Sequence, residues 1–186
     1  MALSALSDEL MRAEGMMMQD QNDEALELLL RLAEDAEEYV DCNCQTTDEV
    51  QYFAFPTLFD RLAYRRVEND PRKLEDVHEP FDRLYGDLAM AYVRTGDYEN
   101  AMNALKTAIR WNPMNCGFRL DLADLFKIAG DIREHIALTF GVFERASEAR
   151  HLTRAFLNFA AWFEAQGRLE QAAACLRAAR RFEVKD

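Results

Sequence analysis

From Asp82 onward the chain repeats one arrangement of apolar and polar positions. Tyr85, Leu88, Ala89 and Tyr92 keep helical spacing, Gly96 interrupts them, and Ala101, Leu105 and Ala108 resume the pattern. The order recurs with Leu122, Ala123, Phe126, Gly130 and Ile132. It recurs again with Phe156, Phe159, Ala160, Phe163, Gly167, Leu169, Ala172, Leu176 and Ala179. Such spacing places each set on one face of an α-helix. The glycines lie 34 and 37 residues apart. Each can supply the left-handed backbone that ends a helix, and Asp97 and Asp131 stand where a side chain caps the next one.

The alternation of sizes has a packing reason. Ala89, Ala123 and Ala160 let two helices approach closely, while Tyr92, Phe126 and Phe163 fill the space beside them. A helix pair of this kind cannot bury its apolar face alone, so several must stack.

Residues 82–113 closely resemble a tetratricopeptide repeat. Tyr85, Leu88, Ala89, Tyr92, Gly96, Tyr98, Ala101, Leu105, Ala108 and Pro113 all stand at the offsets of that family. The second copy departs at His135 and Thr139, where the family has small and bulky apolar residues. The resemblance implies an all-α fold, a right-handed α-solenoid of about nine antiparallel helices with no sheet. Repeats are expected at about 82–115, 116–149 and 153–186, after an N-terminal helical segment at 1–81.

The N-terminal segment matches less well. Ala13 and Met16, then Ala25, Leu29 and Leu32, suggest a degenerate fourth repeat. A loop with Cys42 and Cys44 should follow. A long helix is expected over 48–68, with Thr46 and Glu49 spaced as a capping box and an apolar stripe of Val50, Phe53, Leu58 and Leu62. Pro56 should end its first turn or kink it, and the charged stretch 69–80 reads as a connecting loop.

The resemblance also implies where a partner sits. In this family the first helix of each repeat lines a concave groove that holds peptides. By matched position that groove comprises Arg83, Asp87, Met90 and Arg94, then Leu120, Asp121, Asp124 and Lys127, then Arg154, Leu157, Asn158 and Glu164. Some members clamp the carboxyl terminus of a chaperone with Lys, Asn and Arg. Here Gly86, Met90 and Asp121 replace the first three clamp positions and only Arg154 is compatible, so that specific function is rejected.

Composition sharpens this picture. The 186 residues carry a net charge of −12, and residues 1–50 hold 14 acidic against 2 basic side chains, so the imbalance is N-terminal. Nucleic acid and anionic membranes need a basic surface, so neither is expected as a partner. No apolar run spans a membrane, and the first eight residues lack the basic and apolar regions of a signal peptide. Four cysteines without a framework read as reduced thiols, giving a cytoplasmic expectation.

Candidate chemistry is sparse. Cys42 and Cys44 lack the second pair a zinc site needs. His78, His135 and His151 show no metal-ligand spacing, and His135 reads as a hydrogen-bonded core histidine. Cys116 has no local nucleophile signature. No cofactor or metal is expected. Met16, Met17 and Met18 are adaptable side chains that read as core. The final helix has more small apolar residues than one buried face needs. Cys175, Ala178, Ala179 and Phe182 are therefore expected to form a self-association patch, giving a homo-oligomer. The function that fits is a protein- or peptide-binding scaffold. An acidic secretion-type chaperone is the alternative, and a helical enzyme a distant third.

Overall fold

The computed structural model describes residues 3–182, with side chains from residue 5. The fold class is all-α, built from helix hairpins of the α-solenoid kind. The chain divides at Pro113–Met114 into two compact units.

The first unit contains α1 (Leu3–Met18), α2 (Asn22–Asn43), β1 (Val50–Phe53), α3 (Leu58–Glu68), β2 (Lys73–Asp76), α4 (Phe81–Thr95) and α5 (Tyr98–Trp111). Helices α1 and α2 form a hairpin, α4 and α5 a second, and α2 packs on α4. Leu6, Leu10, Ala13 and Met17 of α1 are buried with Ala25, Leu29 and Leu32 of α2, whereas Met16 of the expected N-terminal pattern is only half-buried and its neighbour Met17 takes the core position. The second unit contains α6 (Cys116–Ile128), α7 (Ile132–Arg145), α8 (Ala149–Ala165) and α9 (Leu169–Phe182). Its core gathers Cys116, Leu120, Val142 and Ala155, with Phe143 packed against them.

One backbone turn recurs. After α4, the Asp97 N–H donates to Tyr92 O at 2.8 Å. After α6, Asp131 N–H donates to Phe126 O at 2.8 Å, and after α8, Arg168 N–H donates to Phe163 O at 2.9 Å. This six-residue closure needs a left-handed residue just before the donor. Gly96 and Gly130 supply it at φ of 83° and 84°. Between α1 and α2 the same bond runs from Gln21 N–H to Met16 O at 3.0 Å. There the left-handed residue is Asp20, at φ 59°. The first hairpin thus turns like the others without the glycine that marks them in sequence.

The expected helix over 48–68, the loop over 69–80 and the absence of a sheet are corrected. Val50–Phe53 and Lys73–Asp76 form a parallel two-stranded ladder, with Val50 opposite Lys73 and Phe53 opposite Asp76. Helix α3 supplies the crossover that parallel strands require. The cap of α3 is Thr57, whose Oγ1 accepts from Asp60 N–H, and not Thr46. Pro56 explains the shift, because it drives the preceding residue toward extended backbone and separates strand from helix instead of kinking one. The ladder is anchored outside itself, since Ala54 N–H donates to Trp111 O at 2.9 Å. Arg72 ties its two strands together, donating to Asp70 through Nη2 at 2.7 Å and to Gln51 Oε1 through Nη1 at 2.8 Å. Phe53, Phe55 and Tyr64 pack into an aromatic group, with ring centroids of Phe53 and Tyr64 4.6 Å apart.

Candidate functional site

The predicted groove residues lie on α4 in the first unit and on α6 and α8 in the second, and most of their charges are already engaged. In the first unit Arg83 of α4 donates to Glu14 Oε1 of α1 through Nε at 2.9 Å and Nη2 at 2.6 Å. Asp87, one turn along, lies 3.8 Å from Arg83 Nε. Burial, reinforced by the charge of Glu14, pushes the Asp87 carboxyl up to about 7. Arg94 Nη1 donates to Met17 O at 3.0 Å and sits 3.8 Å from Asp20. These contacts fasten α4 to the end of α1.

The second unit repeats the device with the same polarity, the arginine on the later helix and the acids on the earlier one. Arg154 of α8 donates through Nη1 to Asp121 Oδ1 at 2.7 Å and through Nη2 to Asp124 Oδ2 at 2.6 Å, both on α6. Asp121 and Asp124 are three residues apart, so one guanidinium fork spans both carboxylates. Asn158 Nδ2 donates to Thr139 Oγ1 at 3.4 Å. Lys127 and Glu164 are exposed. Leu120 is a different case. It is 0% exposed and belongs to the unit's core, so it offers no surface. Position matching could not show this, because α6 is apolar on more than one side.

Between the engaged charges stand two large apolar side chains in the open. Met90 on α4 is 49% exposed and Leu157 on α8 is 47% exposed. Exposed methionine and leucine beside fixed polar groups give a surface that can repack around a partner.

The repeat's departures at His135 and Thr139 are resolved inside the second unit. His135 is 2% exposed, and its Nδ1 lies 2.8 Å from Ala123 O. A carbonyl only accepts, so Nδ1 carries the proton. Thr139 Oγ1 donates to His135 O at 2.8 Å. His135 Nδ1 and Thr139 Oγ1 are thus each engaged locally where the repeat has apolar side chains.

The cysteines show no shared site. Cys42 is exposed and Cys44 buried. Burial pushes the Cys116 thiol up to about 11, which suits an inert core thiol and not a nucleophile. Among the described residues no group of three or more His, Cys, Asp or Glu is arranged to hold a metal, and no helix is long and apolar enough to cross a membrane.

The expected self-association patch is only partly outward. Ala179 is buried against α8, and Phe182 stacks on Phe156 with centroids 5.9 Å apart and planes 12° from parallel. Cys175 and Ala178 are half-buried, while Leu176 is exposed on the other side.

A feature that sequence reading missed lies in the first unit. A cavity of about 430 Å³ opens between α1, the β1–α3 link and the β2–α4 link, lined by Asp76, Glu79 and Asp82 together with Ala54, Phe55 and Pro56. Its carboxylates are spread over seven residues that read as loop and helix start, so no periodic signal unites them.

Comparison with known proteins supports the repeat directly. Residues 82–115 match the family model of the tetratricopeptide repeat. A search of curated proteins gives no match. Among solved structures, a crystal structure of MamA aligns over 92% of this chain and 94% of that chain, with 14% identity and a TM-score of 0.47. A second structure of MamA aligns over 96% and 91%, at 14% identity and a TM-score of 0.45. The match to the tetratricopeptide repeat spans α4 and α5.

Proposed function

We propose that this protein is an interaction scaffold that holds a segment of a protein partner against the exposed faces of its first helices. The observation that supports this reading is the pairing of Met90 and Leu157 with rigid charge clusters. Each is a large apolar side chain, about half exposed, on the first helix of a hairpin. Each lies beside an arginine fixed by a neighbouring helix. Aromatic or aliphatic groups of a partner would cover Met90 and Leu157, and the fixed ion pairs would form a polar rim.

The first helices carry four of the groove cations, Arg83, Arg94, Lys127 and Arg154. Three of those four already have acidic or carbonyl partners within their own unit. They serve as preorganised edges, and of the four Lys127 is left to recruit acidic groups.

The test is affinity capture from the native cell, with the partner then measured in purified form. Met90→Glu and Leu157→Glu change exposed atoms and should leave the helical circular dichroism spectrum intact. Each is expected to weaken partner binding by about tenfold or more, the scale of a well-covered anchor. Full retention of binding by both variants would remove the first-helix faces from consideration.

A further inference from the structure

The acidic cavity of the first unit holds a carboxylate oxygen for which the described residues supply no hydrogen-bond partner. Glu79 lines it and is 8% exposed. Its Oε2 is buried and makes no hydrogen bond among the described residues. Leu6, Leu32 and Phe81 lie around its other side, and burial pushes its carboxyl upward. A buried carboxylate in that setting is costly unless a cation or donor reaches it.

The position of Glu79 just before α4 does not explain it. An acidic side chain there could cap the helix, but the first-turn donors are taken. Phe81 N–H donates to Glu79's own backbone O at 2.8 Å and Leu84 N–H to Pro80 O at 3.0 Å. Arg83 N–H donates to Asp82 Oδ1 at 2.8 Å. The two other carboxylates of the cavity are likewise occupied. Asp82 Oδ2 accepts from Asn112 Nδ2 at 2.8 Å. Asp76 Oδ1 accepts from His78 N–H at 2.8 Å, with His78 Nδ1 3.6 Å away at the exposed rim. They add negative potential, while Glu79 keeps an open acceptor.

We infer that this cavity is a receptor for a basic side chain, taking the ammonium of a lysine from a protein partner onto Glu79. The walls fit the rest of such a ligand. Ala54, Phe55 and Pro56 offer apolar surface to the four methylenes of the stem, while the head meets the acidic floor. A charge-assisted bond to a buried carboxylate is among the stronger hydrogen bonds available. The site is separate from the faces of Met90 and Leu157, so it stands or falls independently of them.

The probe is a fluorescein-labelled pentapeptide with one central lysine between alanines, blocked at both ends, titrated with the full chain in anisotropy measurements. Two comparison peptides carry norleucine or Nε-acetyl-lysine at the centre. The lysine peptide should bind about tenfold or more tightly than either. Glu79→Gln, which is nearly isosteric, should remove that preference while its circular dichroism spectrum stays that of the wild type. Equal binding of the three peptides to the wild type, or no binding, overturns the proposal without any variant. Cadaverine is titrated as competitor. Displacement of the peptide supports an ammonium site, whereas Glu79-dependent binding of cadaverine alone overturns assignment to a protein partner.

Discussion

At the scale of single residues, polar groups in this chain are kept where their partners lie within a few ångströms. His135 and Thr139 interrupt an apolar pattern, yet each finds a carbonyl, Ala123 O and His135 O respectively. Asp87, like Glu79, is an exception with a cost. Its carboxyl is pushed up to about 7 by burial and by Glu14, against the weaker opposing pull of Arg83. The unfolded chain releases that proton near pH 4. Between about pH 4 and 7 the folded form therefore holds a proton that the unfolded form lacks, and stability falls as pH rises through that window. Asp87→Asn stays neutral throughout. It should be more stable than the wild type by roughly 2–4 kcal/mol at pH 8, with the gain shrinking toward pH 4. Urea denaturation at pH 5 and pH 8 measures both. A variant no more stable at pH 8 would show that Asp87 ionises in the fold without penalty.

At the scale of elements, the strand–helix–strand insertion between α2 and α4 depends on one polar knot. Asp70 is nearly buried, and the Arg72 guanidinium holds its carboxyl well below the usual range. Tyr64 Oη also donates to it at 2.9 Å. Arg72→Ala leaves Asp70 with the Tyr64 hydroxyl and the backbone N–H of residue 72, and removes the guanidinium and its link to Gln51. A loss of about 2 kcal/mol is expected, below the figure for a fully buried pair because Arg72 is partly solvated. Hydrogen exchange should rise first in β1, α3 and β2. Unchanged protection there would mean the aromatic packing of Phe53, Phe55 and Tyr64 holds the insertion without the knot. On the solvent side of α3, Leu58, Phe59 and Leu62 are exposed. The expectation of a long helix put Leu58 and Leu62 on one apolar stripe with Val50 and Phe53, and spacing shows a shared face and not what covers it.

At the scale of the whole molecule, the division at Pro113–Met114 makes a prediction about cooperativity. Leu120 is fully buried in the second unit, so Leu120→Ala should cost about 2–5 kcal/mol. Exchange protection should fall across α6 to α9 while α4 and α5 keep theirs; an equal fall in both would mean the chain opens as one body. The helix hairpins and their glycine turns were legible in sequence because their causes are local. A left-handed residue, a capping aspartate and a small–large alternation act within a few positions, and Gly96, Gly130, Asp97 and Asp131 announce them. The first hairpin was only half legible, because Asp20 does a glycine's work. What pairs across the chain was not legible. The ladder joins Val50 to Lys73 through backbone groups that carry no sequence label, and the second strand is mostly charged. Arg83, Arg94 and Arg154 read as cations for a partner, and tertiary packing brought Glu14, Met17, Asp121 and Asp124 to them. The buried state of Glu79 likewise arises where α1, the two links and α4 converge, since desolvation is a property of everything around a carboxylate and not of its place in the chain.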